Sequence, residues 1–265
     1  NPRLQVEHPV TEAITGLDLI ALHLKIAEGG RLALAQQDIT CTGHAIEARL
    51  YAEDPYRGFL PSIGRLKRYS EPAEGPLGEG MLRIDSGVRE GDEISLFYDP
   101  MIAKVVAHGK TREIAIDTLL EGLDRYHVEG LQSNAPFLAA CLEEAEFRKG
   151  DIHTGYIAET FPDGFSGTEP SEEQTRIIAG TAAFIHTVYM RRASRTTGRM
   201  TPAPRIHVEE WEVLIDGDRI LVEIELPDEA IGGGTPAKVW LPELGGQPIE
   251  FESAWLPGEH VFDGT

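Results

Sequence analysis

Cysteine is nearly absent from this 265-residue chain, with Cys41 and Cys141 the only two. Neither has the partner spacing of a metal knuckle or a disulfide framework, so both are expected to be reduced, partly buried thiols, as in a cytoplasmic protein. Long apolar runs are also missing. None approaches the roughly 20 residues of a membrane span, and no signal peptide is visible. Positive charge is scarce: 24 Lys and Arg stand against 44 Asp and Glu, a formal charge of −20. That balance excludes a general nucleic-acid or anionic-membrane binder, because both need positive potential, while leaving room for a local basic pocket. An initiator methionine is absent as well. The sequence opens on "NPRLQVEHPVTE" and closes on "HVFDGT", a turn signal with no return strand. The expectation is a piece of a longer protein.

What remains is an ordinary globular composition, 41% apolar, long enough for two domains with their own cores. Residues 1–8 read as a strand with Asn1, Arg3, Gln5 and Glu7 on one face. "HPVTEAITGLDLIALHLKIAEGG" reads as one helix with Ile20, Leu24 and Ala27 as its apolar stripe and Gly29-Gly30 as its stop. "GHAIEARLYAEDP" alternates, with His44, Ile46, Ala48 and Leu50 on one side and Ala45, Glu47, Arg49 and Tyr51 on the other. "GRLKRYS", "GMLRIDSG" and "MIAKVVAHG" are further strands. A helix is predicted from Arg112 with Thr111 as N-cap, and another after Asn134 with Pro136 in its first turn. Runs of strands between runs of helices make this part α+β.

"FPDGFSGTEP" at 161–170 reads as a linker. Ser171 and Gln174 fit a capping box, opening a helix over 172–192 with Ile178, Ala182, Phe184, Ile185 and Val188 as its apolar face. "ASRTTGRMTPAP" is a second, basic linker. "WEVLIDGDRILVEIEL" reads as a hairpin turning at Asp216-Gly217, followed by strands in "AKVWLPE", "QPIEFESAWL" and "EHVF".

The polar row at the start has two readings on spacing alone. A strand face bearing an amide, a guanidinium, an amide and a carboxylate is most often simply solvated. The same row can clamp a small oxyanion, with Arg3 offering its planar fork, Gln5 its amide, and Glu7 acting as a base or sharing a divalent cation with Asn1.

The wording of the stretch adds to this. "NPRLQVEHPVTE", followed about thirty-five residues later by "GHAIEARLYAEDP", resembles the biotin carboxylase module of biotin-dependent carboxylases, an ATP-grasp family; "FYDPMIAKVVAHGKTREIAI" and "GLQSNAPFL" extend the match over roughly residues 1–160. "FPDGFSG", the helix after it and "WEVLIDGDRILVEIEL" resemble the BT (mediating) domain of propionyl-CoA carboxylase α subunits. The resemblance implies the C-terminal part of a biotin carboxylase over 1–165, an antiparallel sheet with helices. A truncated BT-like domain over 166–265 follows, a long helix and a partial antiparallel β-barrel.

By resemblance, Glu7 matches the base that deprotonates bicarbonate. Arg3, Gln5 and the backbone of Val6 match bicarbonate contacts, Arg3 also being catalytic. Arg49 matches the cation held against the biotin ureido oxygen. Asp99 is expected to orient Arg49, and Asn1 to lie near a Mg²⁺ or Mn²⁺ ion. The implied activity is ATP-dependent carboxylation of carrier-bound biotin through carboxyphosphate, for transfer to an acyl-CoA. The implied partners are a biotin carboxyl carrier domain and a carboxyltransferase β subunit, with no nucleic acid and no membrane. The implied location is the bacterial cytoplasm, or the mitochondrial matrix in a eukaryote. The glycine-rich ATP lid and the phosphate-holding lysines of the family are expected upstream of Asn1. No "AMKM" segment offers a biotinyl lysine, so the chain alone is expected to be inert. Three alternatives stand beside this: an assembly module docking the β subunit, a carboxylase acting on acetyl-CoA, methylcrotonyl-CoA or another substrate, and an ATP-grasp ligase without biotin.

Overall fold

The computed structural model describes residues 3–198, 210–226, 235–242, 244–245, 247–253, 255–259, 262 and 264. It divides into two compact units, 1–168 and 169–265.

The first unit is organised by an antiparallel sheet of four strands: β1 (His44–Tyr51), β3 (Gly75–Leu77), β4 (Gly80–Ser86) and β5 (Met101–Gly109), in the order β1-β5-β4-β3. A separate pair joins β2 (Arg68–Ser70) to β6 (His127–Glu129). Ala48 and Leu50 on β1, Leu82 and Ile84 on β4, and Ile102, Val105 and Ala107 on β5 point into a shared core. Helix α3 (Arg112–Asp124) supplies its other wall with Ile116, Leu119 and Leu123. Burial of such side chains is worth about 1.5–3 kcal/mol each. Thr111 caps α3, accepting the Ile114 amide at 3.3 Å. Gly109 makes the close approach possible, since a Cβ there would lie 2.8 Å from the Ala115 nitrogen. Helices α4 (Ala135–Glu143), α5 (Ala145–Lys149) and α6 (Tyr156–Thr160) follow.

The N-terminal segment departs from its sequence reading. Residues 3–7 form no strand; they bend and turn into helix α1 (His8–Thr15), because the His8 amide and the His8 ring Nδ1 both bond the Gln5 carbonyl, at 3.3 and 2.9 Å. The single helix expected after them is two. Gly16 in the left-handed region (φ 70°) ends α1, and Asp18 caps α2 (Leu19–Ala27) by accepting the Ala21 amide. The apolar stripe of α2 is not buried: Ile20 and Leu24 line an open hollow of about 810 Å³ with Met81 and His108. The segment read as a linker is partly core, Phe161 and Phe165 packing on Phe137. Cys141 is buried, whereas Cys41 is exposed.

The second unit packs helix α7 (Glu172–Ser194) on a four-stranded antiparallel sheet, β7 (Glu210–Ile215), β8 (Asp218–Glu225), β9 (Thr235–Trp240) and β10 (Ile249–Ser253), in that order. The expected capping box is present, with Ser171 and Gln174 each bonding the other's backbone amide. The expected hairpin is present too, turning at Asp216 (φ 50°) and Gly217 (φ 97°). The contact face of α7 mixes small residues with Phe184 and Val188. Ala179, Gly180, Ala183, Phe184, Thr187 and Val188 are buried, while Ile178 and Ala182 are exposed. Trp211 locks this face by donating from Nε1 to the Thr187 hydroxyl at 2.8 Å. Of the expected strand "EHVF", His260 and Val261 lie outside the described residues. No helix among the described residues is long and apolar enough to cross a membrane.

Candidate functional site

Cross-strand register gathers the charged side chains. On β1, Glu47 and Arg49 share the face opposite Ala48 and Leu50. Arg49 lies opposite Lys104 of β5, which lies opposite Asp85 of β4; Glu47 lies opposite Val106, which lies opposite Arg83. Helix α1 packs on β1 and β5. Glu7 stands at its N-cap and Glu12 in its second turn.

These groups form a row of alternating sign. Arg49 Nη2 donates to Glu7 Oε2 at 3.1 Å, and Arg49 Nε lies 3.6 Å from Glu47 Oε1. Lys104 Nζ is 3.0 Å from Asp85, Arg83 Nε is 2.8 Å from Asp85, and Arg83 Nη1 is 2.7 Å from Glu12. Glu12 also accepts the Leu19 amide at 2.8 Å, so one carboxylate ties α1, α2 and β4 together. Burial works to raise the Asp85 carboxyl, but hydrogen bonds from Arg83 and Lys104 outweigh it and hold the group below its ordinary range. Glu47 is shifted the other way. Burial raises its carboxyl against the pull of Lys104, Arg49 and His8. The open hollow beside α2 is lined by Glu12 and Arg83 and not by Glu7 or Arg49.

The expected site residues are placed as follows. Glu7 and Arg49, 42 positions apart, are in contact. Arg3 and Gln5 are exposed and Val6 half-buried, in the turn that leads to Glu7. They do not form a strand face. Asp99 is exposed and accepts the Met101 amide at 2.9 Å; among the described residues it makes no ion pair with Arg49, whose carboxylate partners are Glu7 and Glu47. Asn1 lies outside the described residues, and among those described no three His, Cys, Asp or Glu side chains converge as metal ligands.

Two residues that hold the site were not foreseen in that role. His8 fixes the turn through Nδ1 and the Gln5 carbonyl. Asn134, expected as a helix cap, makes no side-chain cap bond. Buried at 6% exposure, it instead clamps the end of β1: Oδ1 accepts the Tyr51 amide at 2.8 Å and Nδ2 donates to the Arg49 carbonyl at 3.1 Å. Asn134→Ala leaves both backbone groups without this partner and is expected to cost about 2–3 kcal/mol of stability. Urea denaturation measures it; a change under about 0.5 kcal/mol contradicts the clamp.

Residues 47–159 match the biotin carboxylase C-terminal domain family and residues 178–265 the propionyl-coenzyme A carboxylase BT domain family. Residues 1–35 match the ATP-binding domain of the carbamoyl-phosphate synthase L chain. The propionyl-CoA carboxylase alpha chain of Ruegeria pomeroyi is 44% identical over 98% of this chain and 39% of its own length. The mitochondrial alpha chain of Homo sapiens is 36% identical over 96% of this chain and 34% of its own. Among solved structures, the biotin carboxylase domain of Hydrogenobacter thermophilus 2-oxoglutarate carboxylase, in complex with MgADP, ADP and bicarbonate, is 40% identical. Its TM-score is 0.59 over 64% of this chain and 36% of that one. The biotin carboxylase subunit of a pyruvate carboxylase is 36% identical with the same TM-score and coverage. The chain thus spans little more than a third of the length of these relatives.

Proposed function

The chain belongs to the biotin-dependent acyl-CoA carboxylase alpha chains, and we propose that it carries the bicarbonate- and biotin-facing part of an ATP-dependent biotin carboxylase. The observation that carries this reading is the 3.1 Å contact between Glu7 and Arg49. It sets a carboxylate base beside a permanent cation. Both side chains are substantially exposed, 59% for Glu7 and 42% for Arg49. An exposed pair of this kind is worth about 1 kcal/mol or less, so substrate can separate it at little cost.

In the proposed chemistry Arg3 and the Gln5 amide hold bicarbonate beside the Val6 backbone, and Glu7 takes its proton. Freed from Glu7, Arg49 turns its Nη2 edge to the ureido oxygen of biotin. There it stabilises the negative charge that forms as the neighbouring nitrogen loses its proton to the phosphate released when carboxyphosphate gives up CO₂. Biotin on its carrier supplies the nucleophile, and MgATP the phosphoryl group that activates bicarbonate. Propionyl-CoA is the proposed acceptor of the carboxyl group, on the strength of the relatives above and the BT match.

The second unit is proposed to form part of a barrel of the BT kind and to dock a carboxyltransferase β subunit. Its helix α7 buries one face on its own sheet while leaving Ile177, Ile178 and Tyr189 at 45–48% exposure. Deletion of 169–265 from the full-length alpha chain is expected to abolish co-purification with the β subunit while leaving biotin carboxylation in place; an intact complex contradicts the docking role. Cytoplasm in a bacterium, or mitochondrial matrix in a eukaryote, is the proposed location. The catalytic reading is tested by ATP-dependent transfer of labelled bicarbonate to biotin by the full-length alpha chain. No transfer, with the protein folded, sinks it.

A further inference from the structure

Glu47 is the most buried carboxylate in the charged row, its side chain 4% exposed. A buried carboxylate needs a compensating partner, and one of its oxygens, Oε2, has none, while Oε1 lies 3.6 Å from Arg49 Nε. His8 is a second buried polar group with an unpartnered nitrogen, Nε2, and its charge when protonated acts on Glu47. Lys104, 14% exposed, is shared between Asp85 at 3.0 Å and the field around Glu47. A solvated carboxylate on the strand edge would satisfy every stability need of this face at lower cost, so burial of this one calls for a reason.

Arg49 supplies the reason. Its guanidinium has two working edges: Nη2 points to exposed Glu7, and Nε points to buried Glu47. When Glu7 is drawn to a substrate, the exposed contact is lost and the buried one remains. We infer that Glu47 is the positioning residue for Arg49, a fixed carboxylate that holds the Nε edge so that the Nη2 edge stays aimed at the reacting centre. The Asn134 clamp on the Arg49 carbonyl fixes the backbone of the same residue, so main chain and side chain are each held from one side. The inference rests on the proposed role of Arg49 in meeting biotin. Glu47 itself touches no reacting atom.

The test uses the full-length alpha chain. Glu47→Gln, equal in size, is expected to lower kcat for biotin carboxylation about 10- to 100-fold, because a loosened group misplaced by an ångström costs that much. Bicarbonate-dependent ATP cleavage without biotin, which does not need Arg49, is expected to change less than about twofold. In an Arg49→Ala background, Glu47→Gln is expected to add no further loss, since it acts only through Arg49. Glu47→Asp keeps the charge and is expected to retain more carboxylation than Glu47→Gln; if Glu47→Gln does not fold, Glu47→Asp in both backgrounds completes the same cycle. An unchanged kcat, equal losses in the two reactions, or a Glu47 loss that adds to that of Arg49→Ala overturns the inference. If Arg49→Ala alone leaves biotin carboxylation intact, the role of Arg49 falls and this inference with it. A large Arg49→Ala loss with a silent Glu47→Gln sinks only the positioning role.

Discussion

Glu7→Gln in the full-length alpha chain is expected to lower kcat for ATP-dependent biotin carboxylation about 100- to 10,000-fold, the usual contribution of a general base. Gln keeps the shape and a hydrogen-bonding oxygen but accepts no proton from bicarbonate. The loss is expected in bicarbonate-dependent ATP cleavage without biotin as well, because deprotonation of bicarbonate precedes both reactions. Stability is expected to hold. Glu7 is 59% exposed, and its pair with Arg49 contributes about 1 kcal/mol or less. Steady-state rates and thermal unfolding together check this. A fold-change below about tenfold, with the protein folded, removes Glu7 from the role of base.

Arg49→Ala is expected to divide the two reactions that Glu7→Gln depresses together. Biotin carboxylation is expected to fall about 100- to 1,000-fold, the cost of removing a preorganised donor from a site of developing negative charge. ATP cleavage without biotin is expected to persist, since Glu7, Arg3 and Gln5 remain. Arg49→Lys is expected to recover little, because an ammonium lacks the second edge by which Glu47 holds the guanidinium. Equal loss in both reactions places Arg49 in the bicarbonate step instead. That outcome would leave the geometry intact and reassign the cation.

Local patterns in this sequence were legible where short-range physics decides them. The alternation of "GHAIEARLY" sets Ala48 and Leu50 against Glu47 and Arg49, and β1 follows it. Thr111, the Ser171–Gln174 box and the Asp216-Gly217 turn are capping and turn chemistry, complete within four residues. Long-range pairings were not legible. Nothing in the sequence sets Arg49 opposite Lys104 and Asp85; the sheet register does. Asn134 has the residue type and place of a helix cap, yet spends its amide on β1, 83 and 85 positions away.

Residues 3–7 alternate like a strand, but four alternations are too few to outweigh a histidine that bonds back to the Gln5 carbonyl and a proline, Pro9, suited to the first turn of a helix. A turn and not a strand face brings Glu7 to Arg49. The family resemblance suggested Asp99 as the partner of Arg49; among the described residues the ion pairs of Arg49 are with Glu7 and Glu47.

The most direct test of the account is a crystal structure of the full-length alpha chain with bicarbonate and MgADP. Bicarbonate is expected within about 3 Å of Arg3, Gln5 and Glu7, with the Arg49–Glu7 contact opened and Arg49 still held by Glu47. Bicarbonate bound elsewhere, with Glu7 and Arg49 still paired, would contradict it.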